Sequence, residues 1–136
     1  MLPSGILETV LYAKDLDGAE RFYADALGLI PFGKAAGRHL FYRCGNQVLL
    51  IFNPEATRLA PAPGALPVPA HGMDGEGHLC FRASGLELDT WRAALEAKGV
   101  VIEADFEWPG GGRSIYFRDP AGNCLEFAEP RIWKLA

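Results

Sequence analysis

The chain has 136 residues, is 49% hydrophobic and carries a net charge of −4. That length suits one domain with a real core, and the negative balance argues against a nucleic-acid backbone as partner. No apolar run approaches the length of a membrane-spanning helix, so no membrane partner is expected. Three cysteines without a close-spaced pair fit a reducing compartment better than a disulfide framework. The first residues, Met1 to Glu8, show neither the basic region nor the apolar core of a secretion signal, and a cytoplasmic location is expected.

In chain order, residues 7–13 read as a strand with Glu8, Val10 and Tyr12 on one face. A helix capped by Asp17 follows, its apolar stripe formed by Ala19, Phe22, Tyr23, Ala26 and Leu27. Three strands fit next, near 29–35, 38–44 and 47–53. Asn46 after Gly45 supplies the positive φ of a tight hairpin between the last two. The stretch from Asn53 to Gly77 is rich in Pro, Ala and Gly, with five prolines between Pro54 and Pro69. It reads equally as a plain linker and as a flap over a substrate, and His71 within it as a surface histidine. The order then repeats: a strand near 77–83, a helix over 86–98 with Leu88, Trp91 and Leu95 inward, and strands near 100–107, 112–118 and 123–129.

The repetition extends to residues. Glu8-Thr-Val-Leu-Tyr-Ala-Lys-Asp-Leu16 aligns with His78-Leu-Cys-Phe-Arg-Ala-Ser-Gly-Leu86, and Gly37-Arg-His-Leu-Phe-Tyr-Arg43 with Gly112-Arg-Ser-Ile-Tyr-Phe-Arg118. A repeat of this kind identifies an architecture before any single residue is trusted. The predicted fold is α+β, with two β-α-β-β-β modules forming curled mixed sheets around a metal-containing cavity. Module one covers 5–54, the connecting loop 55–76 and module two 77–130, all within a single domain.

Glu8 and His78 are repeat mates and good metal ligands. Glu126, after the Asp119-Pro-Ala-Gly122 turn, lies between Leu125 and Phe127, where a carboxylate is expensive unless paired or metal-bound. Two carboxylates and an imidazole on apolar strands need a common partner, and a divalent cation supplies one. With Asp15-Leu16, Phe22-Tyr23, Leu27-Gly28-Leu29 and Asp119-Pro-Ala-Gly-Asn123 leading to Leu125-Glu126, nearly the whole chain resembles the vicinal oxygen chelate superfamily. That superfamily contains glyoxalase I, fosfomycin-resistance proteins, extradiol dioxygenases and bleomycin-binding proteins.

The resemblance implies metal ligands at Glu8, His78 and Glu126. A fourth ligand found in some members falls on Leu49 or Leu50 and is missing. An open three-ligand site implies a metal acting as Lewis acid on a small oxygen-chelating substrate, in a lyase, isomerase or transferase reaction. One His with two carboxylates favours Mn, Ni, Zn or Co over the two-His, one-carboxylate Fe site of oxygen activation. A ring-cleaving dioxygenase and a metal-free antibiotic-binding protein are the alternatives. Ser114 and Tyr116 fall where fosfomycin enzymes place substrate-contacting hydroxyls, and with Glu126 form the expected catalytic set. Val10 stands where those enzymes carry Thr, which argues against fosfomycin as substrate. Val10, Tyr12, Cys80, Arg113 and Cys124 are the expected cavity lining; the two thiols read as small apolar filler, and Arg113 as an anion site or a solvated turn residue. A homodimer is implied, Glu8 of one chain meeting His78 and Glu126 of the other, with the Trp133-bearing C-terminus at the interface.

Overall fold

The structure is a computed structural model describing residues 1–136. It comprises two compact units, Met1–Gly75 and Glu76–Ala136. The first contains β1 (Glu8–Tyr12), α1 (Leu16–Leu27), β2 (Gly33–Ala35), β3 (His39–Cys44), β4 (Gln47–Phe52) and a single helical turn, α2 (Pro54–Thr57). The second contains β5 (His78–Arg82), α3 (Gly85–Ala97), β6 (Ala104–Glu107), β7 (Arg113–Arg118), β8 (Cys124–Ala128) and a terminal 3-10 turn, Pro130–Trp133. The expected α+β class and the repeated element order are both present. Strands β2 and β6 are shorter than their apolar patterns suggested, beginning at Gly33 and Ala104.

Each unit holds one four-stranded mixed sheet, with order β1-β4-β3-β2 in the first and β5-β8-β7-β6 in the second. The outer pair, β1 with β4 or β5 with β8, is parallel, and the other pairs are antiparallel. Neither sheet closes into a barrel. Alternation gives each sheet two chemically distinct faces. In the first unit Leu11, Leu40, Tyr42, Leu49 and Ile51 face α1 and are at most 3% exposed. In the second, Ile115, Phe117 and Leu125 are wholly buried with Leu88 and Leu95 of α3, and Trp91 stacks on Phe127 at 4.5 Å. Each such side chain contributes roughly 1.5–3 kcal/mol by leaving water. The opposite faces carry Glu8, Val10 and Tyr12 in one sheet and His78, Cys80, Tyr116 and Glu126 in the other.

Two local expectations are corrected. The cap of α1 is Asp15, whose Oδ1 accepts a hydrogen bond from Gly18 N at 2.9 Å; Asp17 lies in the first turn instead. An N-cap side chain reaches the amide two or three residues on, and Gly18 is three residues beyond Asp15. In the β3–β4 hairpin the positive φ, 59°, belongs to Gly45 rather than to Asn46. Pairing of Cys44 with Gln47 leaves a two-residue loop, and positive φ at the first position alone is the type II′ arrangement. The α3 cap is complete: Ser84 and Glu87 form a reciprocal capping box.

Asp15→Ala is therefore expected to cost about 1 kcal/mol of unfolding free energy. Asp17→Ala should change it by less than about 0.5 kcal/mol. Urea denaturation of both variants checks the assignment, and equal losses would contradict it.

Candidate functional site

The register of the second sheet assembles the site. β5 pairs with β8 so that Cys80 lies beside Glu126, and β7 pairs with β8 so that Tyr116 flanks Glu126 on the other side. His78, two residues before Cys80, reaches the same carboxylate: its Nε2 is 3.2 Å from Glu126 Oε2. The imidazole is oriented by its other nitrogen, Nδ1, which lies 2.8 Å from the Cys124 carbonyl and so carries the proton. That leaves Nε2 facing Glu126. The Glu126 side chain is 7% exposed, and its second oxygen, Oε1, is buried without a hydrogen-bond partner. A buried carboxylate oxygen without a donor is costly.

The Asp119–Asn123 turn supports this arrangement. Asn123 is fully buried; its amide nitrogen and Nδ2 both donate to Asp119, while its Oδ1 accepts from Gly77 N at 2.7 Å. The turn that precedes Glu126 thus also fixes the residue before His78. In the sequence Asn123 is only the end of the Asp119-Pro-Ala-Gly-Asn123 motif, and its bonds to Asp119 and Gly77 emerge only in the structure.

An aromatic row extends from His78 across the same face. Tyr116 stacks with His78 at 6.3 Å and with Phe106 at 5.8 Å, and Phe106 meets Trp108 edge-on at 5.0 Å. Phe106 and Trp108 are each 40% exposed, and Phe106 was not singled out from the sequence. Trp108 Nε1 donates to Ser114 Oγ at 2.9 Å, so the buried Ser114 hydroxyl is held by the indole. The intervening turn requires glycine: Gly112 has φ 96°, and a Cβ there would overlap Ile132.

Electrostatics keep the neighbouring groups protonated. Burial first, then the Glu126 carboxylate, push the Tyr116 phenol up to about 12. Cys80 is exposed as a residue, but its sulfur turns back towards the Phe81 carbonyl; desolvation and then Glu126 push its thiol up to about 12. Cys124 is half-buried. Both cysteines lie on the Glu126 face, outside the apolar core, so they are not core filler.

Arg113 is placed elsewhere. It alternates with Ser114, on the α3 side of the sheet, where Nε and Nη2 grip Asp105 at 2.7 and 2.8 Å and Nη1 meets Asp89 at 2.6 Å. Arg92 of α3 also binds Asp105. The Arg113 guanidinium, with burial opposing and Arg92 assisting, holds the Asp105 carboxyl down at about 2. Arg113 ties β7 to β6 and α3.

In the first unit Glu8 opens β1, exposed and without a hydrogen-bond or ion-pair partner, and Val10 and Tyr12 share its face. The expected missing ligand can be localised. Glu126 pairs with Cys80, Val10 is the repeat mate of Cys80, and Val10 pairs with Leu50. Leu50 therefore occupies the Glu126 position, while Leu49 points to the core. His71 is no free surface histidine: its Nδ1 lies 2.6 Å from Tyr12 Oη, and its ring packs edge-on to Phe52 at 4.9 Å. Within either unit, no three His, Cys, Asp or Glu side chains gather as a metal-binding cluster.

Residues 5–127 match the family model described as the glyoxalase/bleomycin resistance protein/dioxygenase superfamily. The chain belongs to this superfamily. Among solved structures, a lactoylglutathione lyase from Agrobacterium tumefaciens is 44% identical with a TM-score of 0.93, over 99% of this chain and 100% of that one. A genomically encoded fosfomycin resistance protein from Listeria monocytogenes is 20% identical, with a TM-score of 0.68 over 93% of this chain and 91% of that one, and shares the fold. So does a glyoxalase/bleomycin resistance protein/dioxygenase from Nocardioides, 22% identical with a TM-score of 0.73 over 95% and 85%. No curated protein matches the chain. Lyases of the glyoxalase family commonly use a divalent metal, and the second unit's donors suit one. An Nδ1-anchored imidazole lies 3.2 Å from Glu126 Oε2, and the other oxygen of that buried carboxylate, Oε1, makes no hydrogen bond.

Two outcomes follow. Arg113→Ala should cost about 2 kcal/mol and flatten the acid limb of the stability profile. Asp105 has a lowered folded pKa, so its stabilisation is present above the ordinary pKa of 3.8 and is lost as pH falls towards 2. Acid titrations of both proteins by circular dichroism check this. At pH 8 the Cys80 thiol should resist iodoacetamide, and Glu126→Gln should accelerate its alkylation about tenfold. The raised thiol pKa stabilises the fold below the ordinary value of 9.0, an effect lost as pH rises towards 12. Equal alkylation rates, read by mass spectrometry, would contradict the coupling to Glu126.

Proposed function

We propose that the protein is a divalent-metal-dependent enzyme acting on a small oxygen-chelating substrate, in a lyase- or isomerase-type reaction. The observation carrying this reading is the orphaned Oε1 of Glu126 beside the His78–Glu126 pair. The same two ligand atoms can share a proton or a cation, and a cation also satisfies the second oxygen. The 44% identity to a chain described as a lactoylglutathione lyase supports the reaction type.

In this reading His78 Nε2 and Glu126 hold the ion, and Glu8, exposed and unpaired, completes the set from a second copy of the chain. When bound, the ion supplies Lewis acidity towards a substrate oxygen. The surrounding residues orient the substrate and manage protons. Tyr116, kept protonated at neutral pH, donates a hydrogen bond to an oxygen in which negative charge develops. Ser114, fixed by Trp108, holds the Tyr116 side of the site in place. Phe106 and Trp108 offer an apolar, aromatic surface to the remainder of the substrate.

Addition of Mn, Ni, Zn or Co to chelator-stripped protein should raise its melting temperature. At a hundredfold excess over the dissociation constant the stabilisation is about 2.7 kcal/mol. His78→Ala and Glu126→Ala should each weaken metal affinity by about a hundredfold or more, measured by calorimetry, and leave the fold intact. Unchanged affinity in both variants would overturn the metal reading and put a metal-free binding protein in its place.

A further inference from the structure

The Pro-rich segment of the first unit is neither an extended linker nor structureless. Its ends are pinned by the His71 amide donating to the Thr57 carbonyl at 3.0 Å, and the chain between them folds on itself through Ala65 to Ala62 and Val68 to Leu66 hydrogen bonds. A compact loop with joined ends is an Ω-loop, a form frequently used for binding. Beyond it, Asp74 pairs with Arg58 at 2.8 Å, and Lys14 lies 3.8 Å from Asp74.

The loop borders an open-mouthed pocket of about 550 Å³. Its wall is apolar, with Leu59, Leu66 and Val68 70%, 82% and 52% exposed. The volume falls in the range of small-molecule sites, and three large aliphatic side chains left in water around one cavity call for a partner. The polar groups on the lining are Arg38, Thr57 and His71. Thr57 Oγ1 is satisfied by the Asn53 carbonyl. Arg38 has no carboxylate within ion-pairing distance, in a chain of net charge −4. Its Nη1 donates to His39 Nδ1 at 2.9 Å, and its guanidinium carbon lies 5.7 Å from the centre of the Phe52 ring. His71 packs on that same ring at 4.9 Å. Phe52 thus brings a cation and an imidazole to one place. Burial, then Arg38, lowers the His39 pKa, in keeping with a neutral acceptor that orients the guanidinium.

From this pocket we infer a second binding site, for a small carboxylic acid with an aliphatic body, its carboxylate on Arg38 and His71 and its chain against Leu59, Leu66 and Val68. The free donors of Arg38 demand an acceptor of negative charge, and a planar guanidinium matches a carboxylate. The exposed aliphatic wall demands a chain rather than a second polar group. The site lies wholly within residues 1–75 and does not rest on the metal reading.

Octanoate is the probe, titrated into the full-length wild-type chain in the presence of a chelator and followed by amide NMR shifts. Shifts should cluster at residues 56–71 and Arg38, and 1-octanol, which lacks the charge, should bind about tenfold more weakly. Arg38→Gln should weaken octanoate by about tenfold with 1-octanol unaffected; Arg38 is exposed, so the variant keeps the fold, checked by an unchanged melting temperature. Leu66→Asp should abolish both. Equal binding of octanoate and 1-octanol, octanoate binding indifferent to Arg38→Gln, or no shifts at millimolar octanoate would each overturn the inference. Shifts that depend on protein concentration rather than on octanoate would assign the surface to a second copy of the chain.

Discussion

Glu126 is a carboxylate in the middle of a buried strand, and most of what is distinctive in the second unit is arranged around that cost. A charge taken from water needs pairing, hydrogen bonds, or both. His78 partners one oxygen; the other makes no well-formed hydrogen bond, with the Tyr116 hydroxyl and the Cys80 thiol beside the carboxylate. The neighbours on either side, Cys80 and Tyr116, hold their protons more tightly, first through burial and then through the carboxylate. An Ile or Val at this position would be easier to fold, as Leu50 at the matching position of the first unit demonstrates by its burial. Stability does not account for Glu126, and the proposed cation would give its unpaired oxygen a partner.

The two units use one topology for two kinds of surface. On the face away from the helix, the first sheet presents His39, Phe41, Leu50 and Phe52, with His39 stacked on Phe41 at 4.0 Å. The second presents His78, Tyr116 and Glu126 within an aromatic row. The core-facing residues are apolar in both, because helix packing tolerates little else. The other faces differ. Leu50 against Glu126 is the clearest difference, an apolar residue at the register position that holds the carboxylate in the second sheet.

The architecture was legible because it rests on periodicity. Alternating strands, two amphipathic helices and the repeat sufficed to anticipate the class and element order, since each pattern is local and repeated. Pairings that depend on distant residues were not legible. The Tyr12–His71 contact joins positions 59 apart, and Trp108 reaches Ser114 only because a glycine turn folds the indole back. Arg113 is a different case. Its parity with Ile115 and Phe117, opposite to Ser114 and Tyr116, already assigned it to the helix side, and its proximity to the glycine turn drew attention away from that alternation. The caps show a third limit: Asp15 and Asp17 are chemically equal, and only the backbone's entry into the helix separates them.

The arginines follow the same division of faces. Arg92, Arg113, Arg118 and Arg131 are each paired with carboxylates, and all belong to the second unit's framework. Such pairs position elements more than they stabilise them when exposed, although the Asp105 centre is sheltered enough to hold its charge firmly. In the first unit Arg38 and Arg43 instead rest on aromatic rings, Phe52 and Phe32, without an acid partner. A guanidinium stacked on a ring keeps its in-plane donors directed outward. At the Ω-loop the two arginines therefore differ: Arg58 is paired with Asp74, while Arg38, the arginine that lines the pocket, keeps a guanidinium without an acid partner, and an anion entering the pocket would meet that unpaired charge.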